Sequence, residues 1–100
     1  MEFKEDHLQI LRKIQKKPES SQRELAGELG ISLGKLNYCL KALQKKGLVK
    51  INNFQKNDDK INYIYILTPR GIKHRLKLTM TFMKKKMHEY DELKSEITLR

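Results

Sequence analysis

No stretch of this hundred-residue sequence is apolar for long enough to cross a bilayer, since its longest apolar runs are strand-sized. No signal-peptide pattern opens it either. Both absences predict a chain that is neither exported nor inserted in a membrane. Cysteine is limited to Cys39, which excludes an internal disulfide framework and suits a reducing cytoplasm. A glycine-rich phosphate loop is missing, because Gly27, Gly30 and Gly34 punctuate helical patterns and do not follow a strand. Histidine is scarce. His7 stands alone near the N-terminus, and His74 and His88 fall on one predicted helix about 21 Å apart, too far to share a metal ion. No Ser–His–acid grouping can be placed. Catalytic residues, a metal site and a cofactor are therefore not expected, and the chain does not read as an enzyme. Repeats and low-complexity tracts are also absent. The most telling gap is in the acids: none occurs between residues 31 and 57.

What is present is positive charge, unevenly placed. The net charge is +10. Residues 1–30 are neutral, with six basic and six acidic side chains. Residues 31–60 carry seven lysines against two aspartates, residues 61–88 carry seven basic groups and no acid, and residues 89–100 sum to −2. Such a field draws a protein toward polyphosphate and makes its affinity salt-dependent. One hundred residues make one domain with a modest core.

The neutral segment opens with a helical stripe of Phe3, Leu8, Leu11 and Ile14, stopped at Lys16-Lys17-Pro18. Residues 21–49 then read as two short helices meeting at Gly30. Ser21 and Glu24 have the spacing of a capping box. Leu25, Ala26 and Leu29 share a face, and Gly30 suits the left-handed turn that ends a helix. Ser32 caps the second helix, whose Leu36, Leu40 and Leu43 form a half-buried stripe before Gly47 ends it. Its outward positions are Gly34, Lys35, Asn37, Tyr38, Lys41 and Lys45. A helix apolar inside and free of carboxylates outside suits an anionic groove, and a helix-turn-helix places its second helix in the DNA major groove. The same pattern also fits two packed helices with a solvated lysine face. Cys39 lies on the leucine side, which predicts a packed thiol; a redox switch is the alternative.

A hairpin follows. Residues 48–54 and 61–67 are rich in β-branched and aromatic side chains, and residues 55–60 between them are polar turn formers. Two strands directly after such a helix make a wing. Lys56, Asn57 and Lys60 at its tip are candidates for phosphate or minor-groove contact. Asp58 and Asp59 read as turn formers, since no third ligand lies near them. The candidate DNA contacts are thus Ser21 and Gln22 on the first helix, Ser32, Gly34, Lys35, Asn37, Tyr38, Lys41 and Lys45 on the second, and Lys56, Asn57 and Lys60 on the wing.

The last helix should run from residue 69 to about 97, capped by Thr68 with Pro69 in its first turn. That is about 43 Å, longer than so small a domain can cover. Beyond Ile72, its apolar positions Leu76, Met80, Met83, Met87, Tyr90, Leu93 and Ile97 recur every three or four residues. A stripe that outruns its own core needs a partner, and a second copy of the helix is the simplest. An amphipathic membrane helix is the competing reading, from Lys84-Lys85-Lys86 and the methionines, but the acidic tail after His88 opposes anionic lipid. The expected architecture is mainly α with a β-hairpin wing: a winged helix-turn-helix over residues 1–68, then a C-terminal dimerisation helix over 69–100, in one structural unit.

The run of helix, helix, G-L-V, wing and L-T-P-R-G opening a further helix resembles the winged helix-turn-helix of MarR-type regulators. The stretches S-L-G-K-L-N-Y-C-L-K-A-L, Y-I-Y-I-L-T-P-R-G and K-M-H-E-Y are similar to a small subgroup associated with exopolysaccharide gene clusters. This resemblance implies a transcriptional regulator that binds double-stranded DNA; with the cytoplasmic setting and the homodimer helix inferred above, two-fold symmetry makes an inverted repeat its expected target. MarR-type proteins have a further N-terminal helix that joins the dimer interface and frames an effector pocket. This sequence starts almost directly with the first helix of the winged domain, so the resemblance leaves an effector unspecified. A winged-helix module for protein association or structured RNA remains the alternative function. Asn37 and Tyr38 favour DNA over protein docking, which usually exposes larger apolar groups.

Overall fold

The computed structural model describes the backbone of residues 4–57 and 60–98, and their side chains apart from those of 53–57 and 60–63. In order, the elements are α1 (Glu5–Lys16), α2 (Gln22–Leu29), α3 (Leu33–Lys45), β1 (Val49–Asn57), β2 (Lys60–Leu67) and α4 (Pro69–Thr98). The core is built from one face of each of α1, α2 and α3 and from the base of the hairpin. α1 contributes Ile10, Leu11 and Ile14, α2 Leu25 and Ala26, α3 Leu36, Cys39, Leu40 and Leu43, and the hairpin base Leu48, Val49, Tyr65 and Leu67. Leu8 of α1 is buried as well. Phe3, expected in the α1 stripe, lies outside the described residues.

Local chemistry sets the helix boundaries. The Ser21 hydroxyl accepts the Glu24 amide at 3.1 Å, and the Glu24 carboxylate accepts the Ser21 amide at 3.3 Å, completing the expected capping box. Gly30, at φ +68°, takes the left-handed turn after α2. The Ile31 amide then donates to the Ala26 carbonyl at 3.0 Å, closing that helix end. The Ser32 hydroxyl accepts the Lys35 amide at 3.1 Å and starts α3.

The hairpin is antiparallel, with Val49 opposite Leu67 and Ile51 opposite Tyr65. It is longer than its composition predicts. Gln55, Asn57 and Lys60 are not turn residues: Gln55 pairs with Ile61 and Asn57 with Lys60, across an irregularity between Gln55 and Asn57. Strand pairing rests on backbone hydrogen bonds, which polar side chains do not prevent on an exposed ribbon. Asp58 and Asp59 lie outside the described residues.

One joint holds α3, the hairpin and α4 together. The Thr68 hydroxyl accepts the Gly71 amide at 3.0 Å, capping α4, and donates to the Gly47 carbonyl at 2.6 Å. The Thr68 amide donates to the Leu48 carbonyl at 3.0 Å. Gly71 packs so closely there that an added Cβ would lie 1.9 Å from the Leu48 oxygen.

Among the described residues of α4, Gly71 alone is buried. Leu78 packs against the core from the helix face that also carries half-buried His74, Arg75, Thr79 and Phe82. The seven apolar residues of the predicted stripe, from Leu76 to Ile97, are all exposed. The radius of gyration is 17.0 Å, against about 13 Å for a compact chain of this length, because α4 runs past the domain. No helix of the described residues is long and apolar enough to cross a membrane.

Candidate nucleic-acid interface

The α3 helix divides cleanly. Leu36, Leu40 and Leu43 are wholly buried, while Ser32, Gly34, Lys35, Asn37, Tyr38, Lys41 and Lys45 are exposed. Tyr38 is 67% exposed, and nothing in the fold requires an aromatic ring there. The first-turn N–H groups and the lysines give this face donors, and α3 itself contributes no carboxylate.

The other candidate positions fare differently. Ser21 is exposed, with its hydroxyl used in the α2 cap. Gln22 is half-buried, and its side-chain amide donates to the Tyr65 hydroxyl, bracing α2 against β2. The side chains of Lys56, Asn57 and Lys60 lie outside the described residues, although their backbone belongs to the two strands.

One contact was not legible from the sequence. Lys35 Nζ lies 2.9 Å from the Asp6 carboxylate of α1. The hydrogen bond from Lys35 holds the Asp6 carboxyl below its usual range, and Asp6 in turn raises the lysine. The acid-free face of α3 therefore receives an acid from a distant segment, and no periodicity signals such a pairing.

Cys39 is in the core, and burial pushes its thiol pKa up. A thiol kept protonated and covered is a poor nucleophile. An aromatic disulfide reagent at neutral pH should label the native protein at least about a hundredfold more slowly than the denatured chain. Prompt labelling of the native protein would contradict this packing. His7 is also buried, which lowers its pKa, and its Nδ1 accepts the Lys4 amide at 3.1 Å at the start of α1. Among the described residues, no group of three or more His, Cys, Asp or Glu side chains could hold a metal ion.

A left-handed glycine between two capped helices, a second helix with a polar outer face, and a two-stranded ribbon after it define a winged helix-turn-helix. Residues 7–50 match the family model described as winged helix-turn-helix DNA-binding. Among solved structures, the chain is similar to Lactococcus lactis ZitR, a zinc-responsive MarR family member, with 26% identity and a TM-score of 0.66 over 93% of this chain and 62% of that one. It is similar in fold to Streptococcus pneumoniae FabT, solved in complex with DNA, with 19% identity and a TM-score of 0.64 over 91% of this chain and 62% of that one. The fold also matches Streptomyces coelicolor PcaV, solved with its natural ligand, with 17% identity and a TM-score of 0.68 over 86% of this chain and 61% of that one. The chain thus spans somewhat under two thirds of these relatives' length. No curated protein matches the sequence.

Proposed function

We propose that this protein is a sequence-specific, double-stranded DNA-binding transcriptional regulator that works in the cytoplasm as a dimer. The observation that carries the reading is the outer face of α3, which is exposed, donor-rich and aromatic at Tyr38, on a helix whose inner face is fully buried. Lys35, Asn37, Tyr38 and Lys41 are assigned to the major groove. Ser32, Gly34 and Lys45 flank them, Ser21 and Gln22 approach the backbone from α2, and Lys56, Asn57 and Lys60 reach phosphate or the minor groove from the wing. Residues 1–68 form the DNA-binding part and 69–100 the dimerisation part of one structural unit, with the first turns of α4 serving both. The sequence resemblance supports exopolysaccharide biosynthesis genes as the targets.

A second copy of this chain is the assigned partner of the exposed α4 stripe of Leu76, Met80, Met83, Met87, Tyr90, Leu93 and Ile97. Lys84, Lys85 and Lys86 lie at mid-helix, and Glu89, Asp91, Glu92 and Glu96 lie toward its end. A parallel pair would set like charges side by side, whereas an antiparallel or crossed pair opposes them. Two-fold symmetry then calls for an inverted repeat with half-sites about 34–36 Å apart.

Selection of duplexes from a random DNA library at stated salt tests the reading. Recovery of an inverted repeat supports it, and recovery of no preferred duplex rejects it. On the selected site, Asn37→Ala should cost about 1–3 kcal/mol and relax preference at one or two base pairs. An unchanged preference in that variant would remove Asn37 from the interface.

A further inference from the structure

We propose that Asp6 is a specificity-determining residue of the DNA interface: its carboxylate occupies Lys35 and so penalises binding to duplexes that offer nothing better. The inference rests on the DNA-binding reading above. Lys35 stands in the first turn of α3, and Asp6 meets it from α1 at 2.9 Å, with both side chains half exposed. No acid occurs in residues 31–57, so the carboxylate on this face comes from another element.

Asp6 is also held in place. Its neighbour Glu5 pairs with Lys86 of α4 at 3.2 Å. The Lys4 amide donates to His7 Nδ1 at 3.1 Å in the same turn, and His7 and Leu8 are buried. The first turn of α1 is thereby anchored on both sides of Asp6, which keeps its backbone beside the face that DNA would approach. A duplex that engages Lys35 must break the Asp6–Lys35 pair. A site that presents a base acceptor to Lys35, such as guanine O6 or N7, replaces the lost partner. A random duplex does not, so the cost of breaking the pair is not offset there. Discrimination gained by a repulsive group against the wrong partner is a general route to specificity.

The test compares the full chain with Asp6→Asn, which keeps the shape and removes the charge. Affinity for the selected duplex and for random duplexes is measured across a salt series. Asp6→Asn should bind random DNA about two- to fivefold more tightly at low salt, with the gain fading as salt rises. Its log–log salt dependence should steepen by about one unit, because one more lysine displaces counterions. The selected duplex should gain less, so the ratio of specific to random affinity narrows. In the Lys35→Met background Asp6→Asn should leave the ratio of specific to random affinity unchanged, showing that the discrimination acts through Lys35. Matching thermal melts of parent and variants secure the comparison, because Asp6 is exposed. If the parent discriminates among duplexes and Asp6→Asn leaves both the ratio and the salt slope unchanged, the role of Asp6 is overturned while the DNA reading stands. If the parent binds no duplex, both fall.

Discussion

Changing Leu93 and Ile97 together to lysine should convert the proposed dimer to a monomer and cost about a hundredfold or more in affinity for the proposed inverted repeat. The two side chains are 62% and 76% exposed, so the substitutions leave the winged core untouched. They place two charges in the proposed seam. In an antiparallel pair they also face Lys84 to Lys86 of the partner. Losing the dimer makes each half-site bind alone, and the advantage of linking two sites is commonly 10²–10⁴ in affinity. Analytical sedimentation at tens of micromolar in moderate salt reads the assembly, and titration of full and half operators reads the binding. A parent that sediments as a monomer without DNA, or a variant that stays dimeric, would rule out this seam. Point substitutions are better than truncation after Arg75, because Leu78 packs on the core and would be lost with the arm.

Gly71→Ala should destabilise the fold by about 3 kcal/mol or more, although alanine is the better helix former. The added methyl would sit 1.9 Å from the Leu48 oxygen and 2.9 Å from its carbonyl carbon, both backbone atoms that no rotamer change can move. α4 would have to lift away from the joint at Thr68. Gly27→Ala is the matched control. It lies in α2 with nothing within 4 Å of the added carbon, and it should stabilise by up to about 1 kcal/mol. Opposite signs for the same substitution, read by urea melts, would show that close approach and not helix propensity governs position 71. Destabilisation of similar size at both sites would contradict that account.

Much of this structure could be read from residue order alone, for reasons that differ by element. Helix ends are written locally: Ser21 with Glu24, Gly30, Ser32 and Thr68 each act within four residues of their partners, so a linear reading finds them. The outer face of α3 was legible by subtraction, because Leu36, Leu40 and Leu43 claim the inner one. The length of the hairpin was not, since Gln55 and Asn57 pair through backbone groups that side-chain chemistry does not report. The inner face of α4 was also hidden. Gly71, His74, Leu78 and Phe82 show no apolar stripe, and what makes them inner is where the core sits beneath them. Gln22 and Asp6 were out of reach for the same reason. Their partners, Tyr65 and Lys35, are neighbours only after folding.

The joint at Thr68 has a mechanical consequence. It ties the end of α3, the base of the wing and the start of α4 into one stiff corner through hydrogen bonds of 2.6 to 3.0 Å. From that corner α4 extends for 30 residues, about 45 Å. It is therefore a lever whose short end is fixed to the reading head. A tilt of about 5° at the corner moves the far tip by about 4 Å, less than one helical turn. Run in reverse, in the proposed dimer a slip of that size where two levers cross would turn each reading head by the same few degrees and reset the span between them.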